Sequence, residues 1–247
     1  MVCRSHLKIS IVIPAFNEEK LLSATLAAVG SARAAFSTRG WDSEIIVCDN
    51  NSTDRTADIA RLCGAAVVFE PVNQIGRARN AGAAAATGDW LVFVDADSTP
   101  SLGLFADTAA AIATGRVLAG GSTLRTDAPN WWYSFFANLW CCWSRFAKHM
   151  AGSFIFVETA AFREIGGFSN QFFAAEELDL AVRLKRLAKQ RGQCVVILHR
   201  HPLLTSARKA TLYSFSETLR FLVKTVLRPK KMLSNRDACA IWYDGRR

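Results

Sequence analysis

The sequence has no run of the ~18 uninterrupted apolar residues that a membrane-spanning helix needs, although 51% of its 247 residues are hydrophobic. Its N-terminus, MVCRSHLKIS, carries one Arg and then a strand-like stretch, without the apolar core of a signal peptide. A cytoplasmic chain is therefore expected. The seven cysteines (3, 48, 63, 141, 142, 194, 239) are odd in number and none is spaced as C-x-x-C, so they are read as reduced packing residues rather than a disulfide framework. His199 and His201 flank Arg200 with no other ligand nearby, which makes a weak zinc case. Between Ile9 and Asn17 there is no G-x-G-x-x-G, which argues against a dinucleotide-binding dehydrogenase. Internal repeats, low-complexity tracts and Pro/Gly-rich linkers are missing too, so residues 1–247 are expected to form one domain.

Acids are scarce toward the C-terminus. From Arg183 onward, 16 of the 30 Lys and Arg residues face three acids, Glu217, Asp237 and Asp244. The preceding part has 30 − 16 = 14 basic and 21 − 3 = 18 acidic residues and is slightly acidic. Such asymmetry points to an anionic partner at the basic end, a nucleotide phosphate or an acidic lipid. No nucleic-acid-binding motif or aromatic–basic platform accompanies the charge, so a nucleic-acid partner is not expected.

What is present is an alternation. Strand-like runs at Ile9–Ile13, Glu44–Cys48, AAVVFE and Trp90–Val94 alternate with helical patterns from about Glu18 to Ala35, in RTADIARLCG, and in GRARNAGAAAATG closed by Gly88. Beyond Pro100 the pattern loosens. A helix near 101–114, a strand near 117–124, the aromatic WWYSFFANLWCCWSRF, a strand in GSFIFV, a long helix stopped by Gly192, a strand in CVVIL and a final helix from Leu212 follow. This is an α/β pattern, a mostly parallel sheet flanked by helices. On such sheets ligands sit at the carboxyl ends of the strands. The exits of the first, second and fourth strands read PAFNEE, DNNSTD and DADS, all rich in polar groups.

The run FVDADS, residues 93–98, delivers Asp95 and Asp97 to the end of a strand that is apolar throughout. Two carboxylates so close repel unless a cation shares the site. Asp97-Ser98 can also open a turn, but that leaves Asp95 unexplained. A hard divalent cation, Mn²⁺ or Mg²⁺, is held by few carboxylates, with water and substrate phosphates completing its shell.

Five segments in order, ISIVIPAFNEE, EIIVCDNNSTDRT, GRARNAGAAAATGDWLVFVDADS, GGF and AEELDLAVRLKR, resemble the signature of family 2 glycosyltransferases of GT-A (Rossmann-like) fold, over roughly residues 8 to 190. The resemblance implies a UDP- or GDP-sugar donor over residues 1–100 and a smaller acceptor-side, catalytic half at 101–210. Residues 211–247 are left as a basic C-terminal amphipathic helix and tail. It places Pro14, Ala15 and Phe16 beneath the nucleoside, Glu18 at its ribose or base, and Asp49 as acceptor of a base N–H. Capping the next helix is the alternative for Asp49, with Ser52 and Asp54 competing for that position. Arg79 and Asn80 would lie near the nucleotide, or else be solvated positions on an alanine-rich helix. Asp95 would contact ribose or metal-bound water, and Asp97 the metal itself.

The family carries a Glu-Asp pair whose second acid is the catalytic base; here that position is Glu177, whose carboxylate reaches one methylene further. Glu176 and Asp179 remain candidates, Asp179 also as a residue that contacts the acceptor or orients its neighbours. All three acids could merely favour a helix N-terminus. Arg208, with Lys209, is either a clamp on the diphosphate, as the basic residues after this strand in similar enzymes imply, or part of a basic surface turn before a helix. The base would take the proton of the acceptor hydroxyl as it attacks the anomeric carbon from the face opposite the leaving diphosphate, so one displacement inverts the configuration. The Q-x-x-R-W motif of processive synthases is absent and there is no membrane span, so a single transfer is expected. The acceptor, a sugar, lipid or small molecule, is not specified. Leu212, Phe215, Leu219, Leu222 and Val226 form an apolar stripe beside Arg220, Lys224 and Arg228. That is a core-facing helix or one resting peripherally on an anionic membrane, here its inner face. Two rivals remain, a sugar-phosphate nucleotidyltransferase, which would want a Gly-rich, Arg-containing loop after the first strand, and a catalytically silent nucleotide-sugar-binding or scaffold protein.

Overall fold

The computed structural model describes residues 6–126 and 141–206. Its core is one eight-stranded sheet: β1 (Lys8–Ala15), β2 (Asp42–Asp49), β3 (Ala66–Phe69), β4 (Trp90–Val94), β5 (Ser98–Thr99), β6 (Val117–Thr126), β7 (Phe154–Glu158) and β8 (Cys194–Thr205). The spatial order is β3-β2-β1-β4-β7-β6-β8-β5. In β4, WLVFV is buried at every position, and in β1 only Lys8 is not. Strands covered on both faces read as near-continuous apolar runs; β1 departs from this at Ser10, which is buried with its Oγ donating to Glu44 Oε1.

Helices α1 (Leu22–Ala32), α2 (Ala34–Ser37) and α5 (Leu102–Ala113) supply Leu22, Leu26, Phe36 and Phe105 to one apolar layer. Helices α4 (Ile75–Ala85), α6 (Thr159–Glu164) and α7 (Glu176–Gln190) supply Ala83, Phe162, Leu180 and Leu184 to the other. The helix α3 (Thr56–Leu62) lies between β2 and β3 in sequence. Helix α4 lies so close to β1 that a Cβ at Gly82 would fall 2.4 Å from Val12 Cγ1. Cys48, also in this layer, is fully buried, and burial pushes its thiol up to about 12, an inert packing residue.

Several boundaries differ from the sequence expectation. The first helix begins at Leu22 rather than near Glu18; Glu18 to Leu21 form a turn leading into it, Leu22 N donating to Glu18 O at 2.9 Å, and the Glu18 and Glu19 N–H groups donate to Thr56 Oγ1 (2.8 Å) and Asp54 Oδ2 (3.1 Å) across the fold. Helix α4 stops at Ala85, and Gly88 lies instead against β1, its N–H donating to Ser10 Oγ at 2.8 Å. Gly192 does follow the last turn of α7 with φ +65°. Both β5 and α6 are additional.

The topology positions the site. β1 pairs in parallel with both β2 and β4, so the chain runs outward in opposite directions from this point of the sheet. Ala15 and Asp49 are register partners at the ends of β1 and β2. β7 is antiparallel to β4, with Val94 opposite Phe154, so the segment entering β7 arrives where β4 leaves. β6 pairs with β8 in parallel and with β7 antiparallel; the half of the sheet where the alternation loosens is therefore mixed. Among the described residues no helix is long and apolar enough to cross a membrane.

Candidate active site

The exits of β1 and β2 are laced together by side chains. Asn17 Oδ1 accepts from Thr53 N at 2.8 Å, and Ser52 Oγ accepts from Asn17 N at 3.0 Å. Asn17 and Asn51 both hold left-handed backbone, φ 52° and 65°, which Asn tolerates better than most residues. Asp49, buried, accepts from Ser52 N, three residues on, at 3.1 Å, a side-chain-to-backbone bond that shapes this loop. The helix-start role falls to Asp54, whose Oδ1 accepts from Thr56 N at 2.9 Å. Pro14, Ala15 and Phe16 come out of β1 beside these loops, and Glu18, almost buried, follows them.

At the exit of β4, Asp95 and Asp97 are partly exposed on either side of buried Ala96, whose carbonyl accepts from Thr25 Oγ1 at 2.8 Å. The cation beside Asp95 belongs to the protein. Arg79, 1% exposed on α4, donates from Nη2 to Asp95 Oδ1 and to Gly152 O, both at 2.9 Å, and from Nη1 to Glu176 Oε1 at 2.5 Å. Its Cζ sits 5.2 Å from the Phe168 ring centroid. Burial works against this guanidinium, but Asp95, Glu176 and Glu177 together outweigh it and raise its pKa. Arg79 is thus a buried charged hub rather than a solvated helix position.

Gly152 is where the two halves of the site meet. A Cβ there would lie 3.3 Å from Arg79 Nη2 and 3.5 Å from Glu177 Cδ. The adjacent Ser153 O accepts from Asp95 N at 3.2 Å. Glu176 and Glu177 open α7, preceded by Ala175 in left-handed backbone at φ 60°. The three acids of this turn diverge. Glu176, 3% exposed, pairs with Arg79; burial pushes its carboxyl up, opposed by the guanidinium. Asp179 turns to Arg183, accepting from Nε at 2.8 Å, while Arg183 Nη1 donates to Ile165 O at 2.7 Å. Glu177 retains some exposure but is crowded by protein, and burial followed by the Glu176 charge pushes its carboxyl up to about 8.

The donor set at β4 suits a hard dication. Two carboxylates flank one buried residue, and among the described residues no third His, Cys, Asp or Glu joins them in a metal-binding group. Mn²⁺ and Mg²⁺ accept such a sparse set when water and phosphate oxygens fill the remaining positions. Arg79 already neutralises part of the Asp95 charge.

A sheet of this order, with its polar groups collected at the exits of β1, β2 and β4, has the GT-A glycosyltransferase fold. The chain belongs to glycosyl transferase family 2, whose profile matches residues 10–166. An uncharacterized glycosyltransferase of Mycobacterium tuberculosis is 32% identical over 142 residues, 57% of this chain and 61% of its own length. In structure the chain resembles residues 1–349 of TarS from S. aureus, with a TM-score of 0.62, 20% identity, and coverage of 90% of this chain and 66% of that one. It also resembles the mannosyltransferase PcManGT of Pyrobaculum calidifontis, solved with GDP-Man and Mn²⁺, at a TM-score of 0.60, 18% identity, and coverage of 86% and 64%. The chain spans less than two thirds of the length of these relatives.

The structure thus brings Arg79, Asp95, Glu176 and Glu177 around Gly152, with Asp97 at the neighbouring strand exit. Asn80 pairs through its amide with both backbone groups of Phe168. Arg208, Lys209, the helix from Leu212 and most of the aromatic run from Trp131 lie outside the described residues. The last described residue, Ser206, donates its N–H to Asp97 O at 3.1 Å. Gly152 and Gln74 were not singled out in the sequence. Neither belongs to a charged or periodic pattern, and only the three-dimensional neighbourhood gives them a role.

Proposed function

We propose that this protein is a metal-dependent, inverting, non-processive glycosyltransferase that moves a sugar from a nucleotide-diphosphate sugar to a hydroxyl acceptor. The observation that carries this reading is the shared guanidinium of Arg79, which ties the strand-exit Asp95 to Glu176 and so sets Glu177 beside the donor carboxylates. Pro14, Ala15, Phe16, Glu18 and Asp49 hold the nucleoside at the exits of β1 and β2, and Arg208 meets the diphosphate. Asp97, with Asp95, holds Mn²⁺ or Mg²⁺, which when bound offsets the charge of the departing diphosphate. Relatives solved with GDP-Man and Mn²⁺ or with UDP support this donor class.

Glu177, as carboxylate, accepts the proton of the acceptor hydroxyl while that oxygen attacks the anomeric carbon. The bond from the anomeric carbon to the diphosphate oxygen breaks on the opposite face, its electron pair leaving with the nucleotide, and the configuration inverts. A carboxyl pushed up to about 8 holds a proton far better than an ordinary one, which suits a base that must take it from an alcohol. Release of UDP or GDP from a panel of nucleotide-sugars with Mn²⁺ tests the proposal, with water standing in for the acceptor. Binding of a nucleotide-sugar without any release, with or without candidate acceptors, would leave a binding protein instead.

A further inference from the structure

Segment 167–175, which leads into Glu176 and Glu177, has no helix or strand of its own, and its backbone is held by side chains of α4. Asn80 Nδ2 donates to Phe168 O and Asn80 Oδ1 accepts from Phe168 N, both at 2.9 Å, so the amide imitates a paired strand. Gln74, immediately before α4 and 3% exposed, donates from Nε2 to Asn170 O at 3.0 Å and Phe172 O at 2.8 Å. Its own N–H is fixed by Asn50 Oδ1 at 2.9 Å, one residue past the end of β2. At Gly76, on the same helix face as Arg79 and Asn80, a Cβ would lie 3.5 Å from Glu176 Cγ and 3.6 Å from Ser169 O. The Phe168 ring is wedged edge-on against Phe93 of β4, centroids 5.2 Å apart. Gly166, Gly167 and Ala175 bound the segment with left-handed backbone, φ 78°, 69° and 60°. A non-glycine residue such as Ala175 persists in that region when its surroundings over-determine it.

We propose that Gln74 and Asn80 are positioning residues which, with Arg79, make α4 the mount of the base. The helix that stands behind the donor site thereby dictates where Glu177 sits, and the proposal rests on the reading of Glu177 as proton acceptor. The bonds of the two amides run to Phe168, Asn170 and Phe172, so their loss displaces the base while leaving every carboxylate of the site in place.

The test compares Gln74→Ala, Asn80→Ala and Glu177→Gln in the full chain. Donor hydrolysis of UDP- and GDP-sugars with Mn²⁺ supplies kcat and KM, and calorimetry of UDP or GDP with Mn²⁺ supplies nucleotide affinity. The expected result for either amide variant is a kcat lower by roughly 10-fold or more, with KM and nucleotide affinity within about twofold, because small misplacements of a reacting group act on turnover. Asn80→Asp keeps the acceptor for Phe168 N and loses the donor to Phe168 O. It should show the same split and covers an alanine variant that fails to fold. Wild-type kcat in Gln74→Ala and Asn80→Ala beside an inactive Glu177→Gln overturns the mount. So does a loss of nucleotide affinity matching the loss of turnover, which would assign Asn80 to the donor site. Turnover retained by Glu177→Gln overturns the base assignment instead, independently of the amide variants.

Discussion

Arg79 and Glu176 form an ion pair at 2.5 Å whose two side chains are only 2% and 3% exposed. Neither charge can be left alone at that depth. Arg79→Leu strands Glu176 and Asp95 together and should cost about 3–5 kcal/mol of stability. Arg79→Lys keeps the charge but cannot reach Asp95, Glu176 and Gly152 O at once, and should also destabilise. Urea denaturation measures both. Combining Arg79→Leu with Glu176→Leu should restore part of the loss, since a buried pair replaced by apolar groups is close to neutral. A double variant as unstable as the sum of the singles would mean that the two residues do not act as a pair.

The base assignment predicts a different outcome for the adjacent acid. Glu177→Gln keeps size and hydrogen bonding, so nucleotide and metal binding should survive while sugar transfer or donor hydrolysis falls roughly 10²–10⁴-fold. Parallel Glu176→Gln and Asp179→Asn variants separate the three acids. A role limited to the helix dipole would cost about 0.3–1 kcal/mol and leave turnover in place.

These two residues also show what a sequence does and does not disclose. WLVFV could be read as a strand to the residue, because burial on both faces leaves no polar position in it. The polar strand exits and the acidic start of α7 were equally plain, being local in sequence. The hub was not. Arg79 reads as one more polar residue on an alanine-rich helix, and its burial depends on Asp95 and Glu176, 16 and 97 residues away. The turn that precedes α1 is likewise docked on distant residues, Thr56 and Asp54, at separations of 38 and 35. The short α6, six residues without a side-chain cap, carries no start signal to read.

Glu177 should make stability depend on pH. Its carboxyl is pushed up from 4.5 to about 8, so the folded protein holds that proton more tightly than the unfolded chain does. The stabilisation is fully present below about 4.5, declines as pH rises, and is gone once pH passes about 8. Glu177→Gln has no such decline. In chelator and without nucleotide, its stability relative to wild type should therefore grow from pH 5 to about 8 and then level off. A constant difference across that range, by urea titration, would mean that Glu177 is ionised throughout.

Glu44 should behave in the opposite sense. Burial alone would raise its pKa, but hydrogen bonds from Ser10, Lys8 and Thr87 outweigh it and bring the carboxyl down to about 2. Lys8 Nζ lies 2.9 Å from Oε2, and Thr87 N donates to Oε1 at 2.8 Å. A depressed carboxyl stabilises the fold above its unfolded pKa, and that contribution is lost as pH falls toward the folded value. Glu44→Gln should cost about 1–3 kcal/mol at neutral pH, narrowing as the pH is lowered from about 5 toward 3. A cost independent of pH would trace to packing instead of charge.

The two carboxylates at the exit of β4 should separate under mutation, because Asp95 is part of the buried Arg79 hub. UDP or GDP should bind tightly with Mn²⁺ or Mg²⁺ and weakly in excess EDTA, since the diphosphate completes the coordination of a cation that few protein groups hold. Asp97→Ala should bring affinity in Mn²⁺ down to the EDTA level. Asp95→Ala should weaken metal-dependent binding as well, and it should further lower the melting temperature of the free protein. It removes one of the two carboxylates bonded to the buried guanidinium, and an under-satisfied charged donor at that depth costs about 1–3 kcal/mol or more. Calorimetry and thermal unfolding of both variants, without nucleotide and with it, check the pair of outcomes. Nucleotide affinity equal in Mn²⁺ and EDTA for the wild-type chain would remove the cation from this site and leave Arg79 as the charge that balances Asp95.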